Sequence, residues 1–237
     1  LFLSGGALAY SALGRPDLGF LGLAEFGNAI QHIVSSCRVP LLADADNGFG
    51  NAIQAANTGA MYEQLGAAGL QIDDKVRPST HPAKNEIVGW EMVGPKIEAV
   101  RDNVSEDFVI VYRTCANLYG YGIDESIRRI NLAKERGADY AYVDGIKSVG
   151  ELIKVSEESK IPLMVNMNEK GFVGGNVAIE QIREMNFSIG LFPISSMLAA
   201  SQGMIEVMEA LASQGTTLGV SEKMTNPPTR IHSMMGQ

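Results

Sequence analysis

The chain has 237 residues, 46% of them apolar and 19% charged, with a net charge of −8 at pH 7, which can bury a substantial core and fits one domain of a large single-domain architecture. The acidic balance, with no basic block and no interleaving of basic and aromatic residues, excludes the electrostatic footprint of a nucleic-acid binder and points to a small-molecule site. Cys37 and Cys115 give neither a disulfide framework nor a paired zinc spacing, no apolar run approaches the roughly 18 residues of a membrane span, and nothing resembles a signal peptide, so a cytoplasmic setting without membrane partners is expected.

The chain opens on Leu1, without a methionine and in mid-strand, so residues upstream of it are expected. Phe2 and Leu3 lead into Ser4-Gly5-Gly6, a strand end followed by a turn with little side-chain bulk. After the loop holding Arg15-Pro16-Asp17, a helix is predicted over 23–36, with Phe26, Ile30 and Ile33 on its apolar stripe. The stretch 39–51 is a short apolar run that ends in Asp44 and Asp46 and then in a glycine-rich turn. A helix over 52–65 and a strand over 69–72 follow, the strand ending in Asp73-Asp74-Lys75. A polar loop over 76–87 precedes a helix over 90–102 and a strand over 108–112 that ends in Arg113-Thr114. Helix 123–136, strand 140–143 ending in Asp144, helix 149–158 and strand 162–165 ending in Asn166 come next. A helix over 177–185, a strand over 188–192 and a helix over 196–214 complete the pattern, and the tail from Thr225, with two prolines, is expected to be irregular or an interaction arm. The expected organisation is a catalytic domain over 1–224 and a tail over 225–237.

Seven strands alternating with seven helices is the pattern of parallel βα units. An open doubly wound sheet tolerates seven strands, whereas a closed (β/α)8 TIM barrel needs an eighth, supplied upstream of Leu1. The barrel is favoured because nearly every strand ends in a polar or ionisable residue: Ser4, Asp44 with Asp46, Asp73, Arg113, Asp144 and Asn166. In a barrel these ends converge on one mouth, where that fold places its chemistry.

Residues i and i+2 of an extended chain point the same way, so Asp44 and Asp46 share one small volume and need a cation, a shared proton or a firm set of hydrogen bonds. Either aspartate alone is equally read as a cap of the helix that follows. With Asp73 at the next strand end and Asp17 in the preceding loop, the balance moves to a divalent metal, and oxygen-only ligands favour Mg²⁺ or Mn²⁺ held by one or two carboxylates and waters. Arg113, at the mouth, is suited to grip a carboxylate by two parallel hydrogen bonds; a structural pair with one of the acids is the competing reading. Ser4-Gly5-Gly6 offers a hydroxyl and bare backbone N–H groups to an anion, or is an ordinary tight turn. His81, in the polar loop, is a candidate acid or base, or simply exposed. Cys115 reads as a small buried hydrophobe. Gly48 and Gly50 make no dinucleotide fingerprint.

Asp44-Ala-Asp-Asn-Gly-Phe-Gly-Asn51 resembles the pattern of the isocitrate lyase and phosphoenolpyruvate mutase superfamily, and the resemblance extends over essentially the whole chain through Leu3-Ser-Gly-Gly6, Pro16-Asp17, Gly66-Ala-Ala-Gly69, Ile72-Asp-Asp-Lys75, Val111-Tyr-Arg-Thr114, Gly137-Ala-Asp139, Val143-Asp-Gly145, Pro162-Leu-Met-Val-Asn166 and Phe192-Pro193. The resemblance implies a (β/α)8 barrel, in homodimers or homotetramers that exchange the last helix between neighbours. It implies Mg²⁺, a small 2-oxo or 2-hydroxy carboxylic acid as substrate, and a bond made or broken through an enolate. By that resemblance Asp44, Asp46, Asp17 and Asp73 surround the metal. Ser4, Gly5, Gly6 and Asp44 hold one end of the substrate, Arg113, Asn166 and Asp144 face its carboxylate or transferred group, and Arg113, Asp46 and His81 are the catalytic candidates.

The departures matter for the reaction. Lyases acting on isocitrate and methylisocitrate carry a loop cysteine as the acid–base group, whereas the loop here reads Arg77-Pro-Ser-Thr-His-Pro-Ala83. Mutases and phosphonopyruvate hydrolases carry Lys and Asn where Ser79 and His81 stand, although Asp74-Lys75 is similar to theirs. Asp73 and Asp144 replace the more usual Glu, and Cys115 stands where many members have Asp. Decarboxylation of a 2-oxo acid loses carbon dioxide directly and requires mainly a metal to stabilise the developing enolate, so an oxaloacetate-type decarboxylase is the leading expectation. Cleavage of a methylisocitrate-like or dimethylmalate-like acid, with His81 in place of the cysteine, comes next, then phosphonopyruvate chemistry, and a non-catalytic metabolite binder is the alternative of a different class.

Overall fold

The computed structural model describes residues 1–76, 86–169, 171–224 and 229–234. Its contacts divide into two units, Leu1–Pro193 and Ile194–Gln237. The first unit carries β1 (Phe2–Leu3), α1 (Gly5–Leu8) running on into a π turn (Ala9–Leu13), α2 (Leu23–Ser36), β2 (Leu42–Asp44), α3 (Ala52–Gln64), β3 (Gly69–Asp73), α4 (Trp90–Arg101), β4 (Val109–Thr114), α5 (Ile123–Glu135), β5 (Tyr140–Val143), α6 (Val149–Glu158), β6 (Leu163–Asn166), α7 (Phe172–Asn176), α8 (Ile179–Glu184) and β7 (Phe187–Leu191). The seven strands pair in sequence order, all parallel, with β1 and β7 at the edges. The expected eighth strand is not among the described residues.

Two-residue alternation sorts the strand side chains onto two faces. Leu70, Ile72, Ile110, Tyr112, Ala141 and Val143 face the helices and join Phe26, Ile30, Tyr62, Ile97, Ile130 and Leu152 in the main core. On the opposite face Val111, Tyr142, Met164 and Leu191 form a second cluster with Phe2, Leu42, Val109, Tyr140 and Ile189 against it. Strand β3 is buried at every position, as a parallel strand covered on both faces should be. Gly69 lets it lie close to β4, since a Cβ there would stand 2.4 Å from the Val109 carbonyl oxygen. A cavity lined by Leu1 and Leu42 at one edge and by Tyr140 and Ile189 towards the other shows that the sheet curls round this second face. The result is a curled, parallel half-barrel whose strand ends share one rim.

Three expectations need correction. The turn after β1 is helical, because Ser4 caps α1 by accepting the Ala7 N–H at 3.4 Å. The helix expected over 177–185 stands as α8, but a short helix that was not expected, α7, precedes it, the two separated where Val177 and Ala178 turn extended. In the second unit α9 (Ser195–Gln214) ends at Gly215 in the left-handed conformation that favours glycine, φ 68°. A 3-10 turn (Leu218–Lys223) follows, and the tail, expected to be irregular or an interaction arm, carries α10 (Thr229–Met234). No described helix is long and apolar enough to cross a membrane.

Candidate active site

The face that carries Leu42, Val111, Tyr142 and Met164 continues two residues further on each strand to Asp44, Arg113, Asp144 and Asn166, and on β3 it carries Gln71 and Asp73. These side chains therefore rise from the inner face at the strands' C-terminal ends, the rim at which parallel βα folds bind ligands.

Asp44 is fixed on both oxygens: Oδ2 accepts the Gly5 N–H at 3.3 Å and Oδ1 accepts the Asp46 N–H at 3.1 Å. Its backbone carbonyl accepts the Tyr62 hydroxyl at 3.0 Å. Gly5 is needed for that approach, since a Cβ would stand 3.2 Å from Phe26 and 3.3 Å from Asp44 Oδ2. The Gly5 N–H is thus given to Asp44, and Gly6 faces Asp17, whose Oδ2 would lie 3.5 Å from a Cβ placed there. Asp46 is buried and left-handed, φ 43°. Its carbonyl accepts the Asp73 N–H at 2.7 Å, which ties the two acidic strand ends together.

The strongest contact in the cluster comes from a residue that the spacing arguments did not place there. Lys75 Nζ lies 2.7 Å from Asp73 Oδ2 and 4.0 Å from Asp46 Oδ1, and all three side chains are buried. Burial works against the ammonium, but Asp73 and then Asp46 outweigh it and hold its pKa above the ordinary lysine value. The signal was present in Asp73-Asp74-Lys75, a charged run at the end of a fully buried strand. Tyr62 and Lys96, which donate to backbone carbonyls of the β2–α3 segment, were also missed.

On β4, Arg113 forms an ion pair through Nη2 with Asp144 and lies over the Tyr142 ring, 5.4 Å from its centroid. Burial disfavours the guanidinium, and Asp144 more than compensates. The structural pair is therefore present, yet Arg113 Nε remains buried without a hydrogen-bond partner. Asp144 Oδ1 accepts the Gly145 N–H at 2.9 Å, which leaves its other oxygen on Arg113. Asn166 Oδ1 accepts the Asn168 N–H at 3.0 Å. Asp144, Asn166 and Asn168 line one cavity with the apolar Leu118, Ile146 and Phe172. Cys115 is buried, its Sγ 4.0 Å from Asp144 Oδ2, and burial pushes its thiol pKa well up, so it is not a thiolate. Asp74, adjacent in sequence to Asp73, is not part of the cluster: it accepts from Tyr112, Thr114, the Cys115 N–H and Arg129 on the helix side of the sheet. His81 lies outside the described residues.

Asp46 tests whether a metal fits. Burial first, then the carboxylates of Asp44 and Asp73, push its pKa up to about 8 despite Lys75, so its ionised form is disfavoured here without a further cation. Asp17 is raised in the same direction, by burial and by Asp44 against Lys75. The donors are all oxygen, which suits Mg²⁺. Among the described residues no three acidic, histidine or cysteine side chains converge as direct ligands, so the fit is to an ion held by one or two carboxylates with water completing the shell, the usual magnesium arrangement.

The family model for phosphoenolpyruvate phosphomutase matches residues 1–212. The 2,3-dimethylmalate lyase of Eubacterium barkeri is 34% identical over 230 residues, which span 94% of this chain and 78% of that protein. Among solved structures, an oxaloacetate acetylhydrolase in complex with the inhibitor 3,3-difluorooxalacetate superposes with a TM-score of 0.90 at 27% identity, over 100% of this chain and 80% of that one. A phosphonopyruvate hydrolase in complex with oxalate and Mg²⁺ superposes with a TM-score of 0.86 at 25% identity, over 99% and 82%.

Proposed function

The chain belongs to the phosphoenolpyruvate phosphomutase family and is a lyase of the isocitrate lyase and phosphoenolpyruvate mutase superfamily; from that premise we propose that it is a Mg²⁺-dependent decarboxylase that breaks the bond between carbon 3 and the carbon-4 carboxylate, β to the oxo group, of a small 2-oxo dicarboxylate of the oxaloacetate type. One observation carries the reading: the buried carboxylates of Asp44, Asp46 and Asp73, with Lys75 paired to Asp73, adjoin a buried guanidinium, Arg113 being the register partner of Asp73 across β3 and β4. A cation site beside a carboxylate grip is what a 2-oxo acid presents to a protein, an oxo oxygen and a carboxylate on adjacent carbons.

Asp44 and Asp46 would hold the metal, directly or through water, with Asp17 and Asp73 around it; Mn²⁺ suits the same donors. Bound Mg²⁺ would supply Lewis-acid stabilisation of the negative charge that collects on the oxo oxygen as the bond breaks. Arg113, fixed by Asp144 at one nitrogen and by Tyr142 on one face, orients the substrate's 1-carboxylate. Lys75 stays protonated and holds Asp73 in place. Loss of carbon dioxide leaves the bond pair on carbon 3 as the enolate of pyruvate, which then takes a proton. No thiolate is called for, in keeping with the neutral, buried Cys115.

A second reading, retro-aldol cleavage of a dimethylmalate-like acid, is supported by the cavity beside Asn166, which joins two amides to apolar Leu118, Ile146 and Phe172, and by the 34% identity to the Eubacterium barkeri enzyme. A substrate panel of oxaloacetate, 2,3-dimethylmalate, 2-methylisocitrate and phosphonopyruvate, followed by pyruvate release with Mg²⁺, separates the two. Oxaloacetate is expected to be turned over fastest. Faster turnover of dimethylmalate would replace the first reading with the second, and silence across the panel would contradict both.

A further inference from the structure

Helix α4 sends a lysine towards the loop that carries Asp46. Lys96 is 5% exposed, and its ammonium donates to the backbone carbonyl of Asn47 at 2.7 Å. Burial lowers its pKa, with Asp73 acting the other way. A lysine so placed costs desolvation, and its hydrogen-bond partner is a backbone oxygen of a surface-side loop, where a neutral donor would satisfy the same oxygen.

The loop needs holding. Asp46 and Phe49 are left-handed non-glycine residues at φ 43° and 56°, and Gly48 and Gly50 stand at 83° and 155°. Left-handed backbone costs an L-residue about 1–2 kcal/mol, so the conformation that aims Asp46 inward is not one the chain adopts by local preference. Asn47 is also the hub of the neighbouring segment, since its Nδ2 donates to the carbonyls of Lys75 and Val76 at 3.4 and 3.3 Å. Lys75 precedes the polar loop that leaves β3, and Val76 opens it.

We propose that Lys96 is a positioning residue of the active site: by holding the Asn47 carbonyl it fixes Asp46 in its inward, left-handed conformation and, through the Asn47 amide, ties the metal-side loop to the start of the loop after β3. The inference rests on the reading of Asp46 as a metal group. Lys96 touches neither substrate nor metal, and acts through Asn47.

The test is Mn²⁺ titration of the purified chain, followed by the electron paramagnetic resonance of free Mn²⁺, in the parent, Lys96→Met and Lys96→Arg, each checked for a cooperative thermal melt. Lys96→Met is expected to bind Mn²⁺ about tenfold more weakly or worse, the size of effect seen when groups behind metal ligands are removed. Lys96→Arg, which keeps the charge and donors, is expected to recover most of the loss. A folded Lys96→Met that binds within twofold of the parent overturns the proposal. Should Lys96→Met fail to melt cooperatively, Lys96→Leu, which likewise lacks a donor, is judged by the same criterion. Should the parent itself take no Mn²⁺, the metal reading falls separately, and hydrogen exchange decides: faster exchange at the amides of 46–48 in the variant supports the strut, and unchanged exchange overturns it.

Discussion

Asp74 and Asp73 are neighbours in sequence with opposite employments, one stabilising the fold and the other facing the site. Asp74 is fully buried and gathers four donors, among them Arg129 Nη1 at 3.1 Å. Taking Arg129 away strands a buried carboxylate, so Arg129→Met is expected to lower unfolding stability by about 3–5 kcal/mol, read from urea denaturation; a loss under about 1 kcal/mol would show that the three remaining donors suffice. The sequence made Asp44, Asp73 and Arg113 legible because each stands at or next to the end of an apolar strand and alternation fixes the face it points to; Asp46 lies past the end of β2 in a left-handed turn, which the alternation expected between it and Asp44 does not reach. It did not reveal Lys96 or Tyr62, whose partners lie 49 and 18 residues away. No spacing rule joins a helix side chain to a distant carbonyl; only the packing of α3 and α4 on the sheet does. Nor could spacing decide that Arg113 would be engaged by Asp144, 31 residues on.

Secondary structure followed apolar periodicity where that periodicity was strong. Strands β2 to β6 and helices α2 to α6 stand where alternation and the 3.6-residue stripe put them, and the sheet order follows from βα alternation. The failures share a cause: α1, the π turn and α7 are glycine-containing or short, so they have too few apolar positions to show a period, and capping or tertiary contact decides them. Helix α5 shows an electrostatic counterpart. Glu125, in its first turn, accepts from Arg128 one turn on and from Arg129 Nε at 2.7 Å, and these bonds hold its pKa down to about 2, hydrogen bonding to Arg128 contributing most. A depressed folded-state pKa gives stability that is present above the unfolded value near 4.5 and is lost as pH falls towards 2. Glu125→Gln is accordingly expected to be less stable than the parent at pH 6, with the gap closing between about pH 4.5 and 2. Parallel stability curves over that interval, measured by denaturation at each pH, would contradict this.

At the scale of the molecule, the half-barrel gathers the strand ends on one rim, and that gathering turns scattered carboxylates into a charge problem. Asp46 cannot ionise freely beside Asp44 and Asp73 in a buried setting with Lys75 already committed to Asp73. A divalent cation would resolve it, and membership of the phosphoenolpyruvate phosphomutase family would give that cation the proposed reaction to serve. The family was legible from the motifs alone; the substrate was not, because the segment that distinguishes the subfamilies, 77–85, is the stretch whose motif departs furthest and lies outside the described residues. The most direct measurement is therefore oxaloacetate decarboxylation, followed as pyruvate, by the parent and by Asp44→Ala, each with Mg²⁺ and with EDTA. Turnover is expected in the parent with Mg²⁺ only, falling at least a hundredfold with EDTA or in Asp44→Ala, in line with about 2.7 kcal/mol or more of lost transition-state stabilisation. Parent turnover that persists unchanged in EDTA, or in Asp44→Ala, would contradict a metal-dependent reaction at this rim.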